Sequence, residues 1–110
     1  MSSDEVYVRH ILESIAAIEE YLVGGTREML EHDRRTKAAI VRELEIIGEA
    51  ATHLSPEFQA VHPDVPVDKM IGMRNKLIHE YFGVDLDVVW KTAVEDLPVL
   101  KPSLEGVRSF

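Results

Sequence analysis

Residues 40–54 read IVRELEIIGEAATHL, and the apolar positions Ile40, Leu44, Ile47, Ala51 and Leu54 step by three and four. That spacing returns once per turn of an α-helix, so the five side chains form one apolar stripe with Arg42, Glu43 and Glu45 off it. Gly48 interrupts the helix interior, where glycine costs about 1 kcal/mol relative to alanine. The ordinary compensation is close approach of a neighbouring helix; clearance beside a ligand or a partner subunit is the alternative. The helix must stop before Ser55 and Pro56, because a proline ring disfavours helical backbone at the residue preceding it.

Working towards the start of the chain, Val8, Ile11, Ile15, Ile18 and Leu22 repeat the same steps. They predict a helix from about Ser3 to Val23, closed by Gly24 and Gly25. Thr26 suits the N-cap of a short helical turn around Met29 and Leu30. In the other direction, residues 55–66 contain Pro56, Pro63 and Pro66, which predicts an irregular connector with one turn of helix, anchored by Phe58 and Val61. Pro66 fits the first turn of a further helix that carries Met70, Met73, Leu77 and Ile78 inward and closes near Phe82 and Gly83. Asp85 is placed to cap the next, whose apolar face is Leu86, Val89, Trp90, Ala93, Val94 and Leu97. Pro98 and Pro102 are expected to interrupt or restart a last segment that packs Leu100 and Leu104. No stretch alternates with the period of a strand. The pattern predicts an all-α, antiparallel bundle of four to five helices, forming one domain over residues 1–110.

Of the 110 residues, 45% are hydrophobic and 29% charged, too apolar for a chain that stays disordered. Cysteine is absent, which excludes disulfides and thiolate-ligated zinc and is compatible with a reducing compartment. No apolar run approaches the roughly 18 residues of a membrane span, and Met1 to Glu5 is acidic and polar where a basic export leader would begin. A cytoplasmic protein without membrane contact is expected. The net charge of -8 opposes nonspecific binding to duplex nucleic acid. Two stretches run against it, one with Arg27, Arg34, Arg35, Lys37 and Arg42, the other with Lys69, Arg74 and Lys76. Their simplest reading is a pair of solvated helix faces.

The histidines at 10, 32, 53, 62 and 79 show no zinc-protease spacing, no glycine-rich phosphate loop is present, and no serine sits in a nucleophile elbow. No metal and no cofactor are expected. The densest polar cluster on an otherwise apolar helix is Arg74, Asn75, Lys76, His79, Glu80 and Tyr81, just before a glycine. A guanidinium grips phosphate with a planar fork of donors, and an imidazole with an ordinary pKa of about 6.5 takes up a proton near neutrality. Together they can cleave RNA without a metal: histidine removes the ribose 2′-hydroxyl proton, that oxygen attacks the adjacent phosphorus, and arginine stabilises the phosphoryl oxygens. On one helix, however, Arg74 and His79 point about 140° apart and lie about 7.5 Å apart along the axis. A second subunit across a two-fold axis would close the gap. Asn75 shares a side with His79 and is placed to orient the imidazole. Taken singly, His79 reads as a buried or capping histidine and Tyr81 as core or rim.

The run Arg74-Asn75-Lys76-Leu77-Ile78-His79-Glu80-Tyr81 resembles the R-x-x-x-x-H-x-Y signature of HepT-like ribonuclease toxins in the HEPN superfamily. RELEIIGEA at 42–50, GMRNKLIHEYFGVDLDVVWK at 72–91 and Asp96-Leu97-Pro98 extend the likeness across about Val8 to Leu104. Val67 departs from it, since relatives often carry tryptophan there. The resemblance implies a homodimeric all-α bundle and a metal-independent endoribonuclease, with Arg74 and His79 catalytic and Asn75 supporting. It also implies a toxin-antitoxin partner, a small nucleotidyltransferase of the MntA type that transfers AMP from ATP to Tyr81 and so blocks the RNA cleft. Gly48 and Glu49 match the family pattern, with no role assigned to Glu49. The competing readings are a non-catalytic helical adaptor that binds a nucleotidyltransferase and a purely structural bundle.

Overall fold

The structure, a computed structural model, describes residues 3–79 and 85–107, with the side chains of Ile78 and His79 outside the description. The described chain forms α1 (Ser3–Leu22), α2 (Arg27–His32), α3 (Arg34–Thr52), α4 (Pro56–Val61), α5 (Val67–His79), α6 (Leu86–Lys91) and α7 (Leu97–Glu105), with a π-helical turn, Thr92–Asp96, joining the last two. No strand occurs among the described residues. The fold is the all-α bundle that the apolar spacing predicts. Gly24, at φ +72°, takes the left-handed conformation that closes α1. Gly83, expected to do the same after α5, lies with Glu80, Tyr81 and Phe82 outside the described residues.

Helix α3 is the axis of the bundle, with α1 along one side and α5 along another. Ile11, Ile15 and Ile18 of α1 meet Ile40, Leu44 and Ile47 of α3 in a core that each enters with essentially no exposed surface. Burial of this kind is worth about 1.5–3 kcal/mol per side chain. Asp33 caps α3: its carboxylate accepts from the Thr36 backbone N–H at 3.0 Å and from the Thr36 hydroxyl at 2.7 Å, and these bonds hold its pKa below the ordinary value. Thr26 stands at the N-cap of α2 as expected but makes no side-chain capping bond.

Ser55 caps α4 by accepting from the Phe58 N–H at 3.1 Å. Ser55 is itself held by Asp4, whose carboxylate accepts from its backbone N–H at 2.8 Å and its hydroxyl at 2.7 Å. The start of α1 is thus tied to the connector after α3, more than fifty residues along the chain. Asp4→Ala should lower unfolding stability by about 1–2 kcal/mol, since it strands a part-buried N–H and releases the cap; urea denaturation measures the shift.

Phe58 is the expected anchor of this connector, at 4% exposure, but Val61 is not, at 71%. The side chain of His62, one helical turn after Phe58, covers the phenyl ring at a centroid distance of 4.8 Å and leaves Val61 pointing outwards. Asp85 caps α6 through bonds from the Asp87 and Val88 N–H groups. Beyond it, Pro98 and Pro102 do not break the chain, which stays helical through Glu105. The π turn explains the first of them. Leu97 N–H reaches back to the Thr92 carbonyl, one residue farther than in an α-helix, and the widened turn makes room for a proline ring that would otherwise strike a carbonyl. The extra residue rotates Val94 out to 37% exposure and buries Thr92, whose hydroxyl donates to the Val88 carbonyl at 2.7 Å.

Candidate active site

Helix α5 can lie close against α3 because Gly48 has no side chain. A Cβ built there would stand 2.0 Å from Arg74 Cβ, 2.7 Å from Arg74 Cγ and 3.0 Å from the Met70 carbonyl oxygen. The glycine in the middle of the longest apolar stripe is therefore a packing feature, and what it admits is the stem of Arg74. Met70 and Leu77, one turn before and three residues after Arg74, are buried and hold this side of α5 against the core.

With its stem fixed, the guanidinium of Arg74 reaches Glu49, the residue after the glycine. Its Nη2 lies 2.9 Å from Glu49 Oε2, and its Nη1 donates to Asn75 Oδ1 at 2.9 Å. The Arg74 side chain retains 29% exposure. Two of its five N–H donors are thus engaged, one by a carboxylate and one by an amide, and the rest remain for an anion from solvent. Glu49 Oε1 lies 3.5 Å from His53 Nε2, so the carboxylate joins Arg74 and His53 across the surface of α3 and α5. No motif pointed to this link, although Glu49 and His53 stand at the i, i+4 spacing that brings helical side chains together.

Asn75 is exposed and accepts a hydrogen bond from Arg74, while its expected contact with the His79 imidazole involves a side chain outside the description. Position 79 is the last residue of α5, one turn after Asn75, and its side chain lies outside the description. Tyr81 lies outside the described residues altogether.

Arg74 also lines a cavity of about 340 Å³ together with Tyr7 and His10 of α1 and Arg42, Glu45, Glu49 and His53 in and after α3. The Tyr7 and His53 rings stack at 4.7 Å and 13° between planes, and His10 meets Tyr7 edge-on at 6.0 Å. A second cavity, about 430 Å³, opens between Met70 and Met73 of α5 and Leu97 and Leu100 of α7, with Asp64, Lys69, Lys91 and Asp96 also in its lining. Among the described residues, no group of three His, Asp or Glu side chains is placed to hold a metal ion.

The described chain is an all-α bundle of the HEPN type, with Gly48 and Glu49 of its central helix set against Arg74 of α5. The profile of the family described as Ribonuclease HepT-like matches residues 11–107. A Thermococcus cleftensis protein named "Probable ribonuclease HepT" is 44% identical over 106 residues, covering 96% of each chain. A Caldanaerobacter subterraneus subsp. tengcongensis protein named "Putative RNase TTE0752" is 38% identical over 107 residues, covering 97% of this chain and 96% of the other. A Methanocaldococcus jannaschii protein named "Putative RNase MJ1380" is 36% identical over 94% of both. The chain belongs to the HepT-like ribonuclease family. No solved structure matches it significantly.

Proposed function

We propose that the protein is a metal-independent endoribonuclease that cleaves RNA through the ribose 2′-hydroxyl, with Arg74 and His79 as its catalytic pair. The observation that carries this reading is Arg74: a half-buried guanidinium, its stem wedged against Gly48 and its fork oriented by Glu49 and Asn75, with donors left for a phosphate. His79 takes the 2′-hydroxyl proton as the O2′–P bond forms, Arg74 holds the charge that builds on the non-bridging oxygens, and the 5′ oxygen leaves with a proton as the P–O5′ bond breaks. The products are a 2′,3′-cyclic phosphate and a 5′-hydroxyl. Two copies of the chain around a two-fold axis bring one motif helix to each side of the RNA and supply a second imidazole to protonate the leaving oxygen.

The test is incubation of a single-stranded RNA with the protein in excess EDTA. Cleavage leaving cyclic phosphate ends supports the reading; intact RNA beside a properly folded protein favours the helical adaptor, the second reading, for which the acidic net charge of -8 speaks.

In the same reading the chain is the toxin of a toxin-antitoxin pair in the cytoplasm. A small nucleotidyltransferase of the MntA type neutralises it by adding AMP to Tyr81, which puts bulk and negative phosphate on the motif that is to bind RNA. Tyr81→Phe keeps the ring and removes the acceptor oxygen. The variant should cleave RNA at close to the wild-type rate while escaping neutralisation, and intact-mass measurement after co-expression should find AMP on the wild type and none on the variant.

A further inference from the structure

We infer that the cavity between α1 and α3 beside Arg74 is a nucleobase subsite, in which an unstacked base lies on the His53 ring with Tyr7 behind it. Its coupling to cleavage rests on the ribonuclease reading; its binding chemistry does not.

Tyr7 and His53 are stacked nearly parallel, so one face of the imidazole is covered. The His53 side chain nevertheless keeps 49% of its surface exposed, which leaves its other face and its edge to the solvent in the cavity. None of Tyr7, His10 and His53 belongs to the buried core, although Tyr7 packs against it. The three rings thus form a cluster at the surface, with Tyr7 between His10 and His53 and Glu49 at the His53 Nε2 edge.

Charge bears on what this cluster recognises. Arg42 and Arg74 stand in the wall against Glu45 and Glu49, two cations against two anions, and Arg74 is already paired with Glu49. The wall is close to neutral, so its net charge alone does not select an anion. What the cavity offers is a flat π surface, with the Glu45 carboxylate to accept from the amino or imino edge of a base. Arg42 makes no hydrogen bond or ion pair among the described residues and lies two turns before Glu49 on the same side of α3, where it can take the phosphate attached to that base. In a duplex both faces of a base are covered by its neighbours, so only single-stranded or looped RNA fits.

The experiment is fluorescence anisotropy in EDTA with a 2′-O-methylated single-stranded hexamer, which binds but has no free 2′-hydroxyl to react. His53→Ala should weaken binding about tenfold, the effect of losing one base–aromatic stack. His53→Phe, which keeps the π face and loses the Glu49 contact, should stay within about twofold of wild type. A hexamer lacking its bases should bind the wild type no better than the full strand binds His53→Ala. Displacement by AMP and not by ribose 5-phosphate supports recognition of the base, and shows that a free nucleotide enters the site as well as a strand. Equal affinities for wild type and a normally helical His53→Ala, equal binding of the baseless strand, or displacement by ribose 5-phosphate alone would each overturn the subsite. On a cleavable strand His53→Ala should raise KM by a larger factor than it lowers kcat, and His53→Phe should restore KM. Wild type that binds the hexamer but cleaves nothing refutes the ribonuclease reading and leaves the subsite standing; cleavage with an unaltered KM refutes the subsite alone.

Discussion

Arg74→Ala and His79→Ala should each lower the rate of RNA cleavage by about two to four orders of magnitude, while the protein keeps its helical circular dichroism. The two losses have different physical origins. His79→Ala removes the proton acceptor, so the 2′-hydroxyl must ionise to water, and the defect should appear in kcat. Arg74→Ala removes the cation opposed to the phosphorane and also frees Glu49, whose carboxylate then faces incoming phosphate without its partner at 2.9 Å. It should therefore damage KM as well as kcat. Arg74→Lys separates charge from geometry: an ammonium retains the charge but cannot reach both Glu49 and Asn75 with a planar fork, so it should recover little. Cleavage by either alanine variant at the wild-type rate would remove the residue from the mechanism.

Gly48→Ala should destabilise the fold, the reverse of what a glycine-to-alanine change does in an ordinary helix interior. Helix propensity alone favours the variant by about 1 kcal/mol. Against that, the new methyl would stand 2.0 Å from Arg74 Cβ and 3.0 Å from the Met70 carbonyl, neither of which is the free end of a flexible side chain. Helix α5 has to move away from α3 as a body, and overpacking of this kind costs about 1–3 kcal/mol. The net effect expected in urea denaturation is a loss of up to about 2 kcal/mol, larger for Gly48→Val. Displacing α5 also pulls Arg74 from Glu49, so RNA cleavage should fall more than stability does. A variant more stable than wild type by the full propensity gain of about 1 kcal/mol would mean that the helices separate at no cost.

Much of the bundle was legible because its helices are amphipathic in the plainest way. Val8, Ile11, Ile15 and Ile18, and then Ile40, Leu44 and Ile47, announce their buried face by spacing alone, and all seven are buried. The glycine in α3 was equally readable as a close approach, though the sequence could not say that Arg74 is what approaches. The misses at Val61 and Val94 share a cause: each depends on a local register that spacing does not encode, one set by the Phe58–His62 ring contact and the other by a wide turn. Within the candidate site, chemistry singled out Arg74 and Asn75, which the structure joins by a hydrogen bond, but the pairing of Arg74 with Glu49 and the Tyr7–His53 stack could not be read. The two stacked rings meet only because α1 and α3 run antiparallel, bringing position 7 beside position 53, and no local pattern carries that pairing.

The widened turn between α6 and α7 has one more implication. A single surplus amino acid is looped into the helix there, so the segments before and after it keep the phase of an uninterrupted rod, and Leu97, Leu100 and Leu104 still face inwards. Shortening the chain by one at Val94 would preserve that phase and restore regular α-helical bonding, but it would return the Pro98 ring to a carbonyl with nowhere to retreat. The irregularity is thus the allowance by which this helix carries a proline without ending.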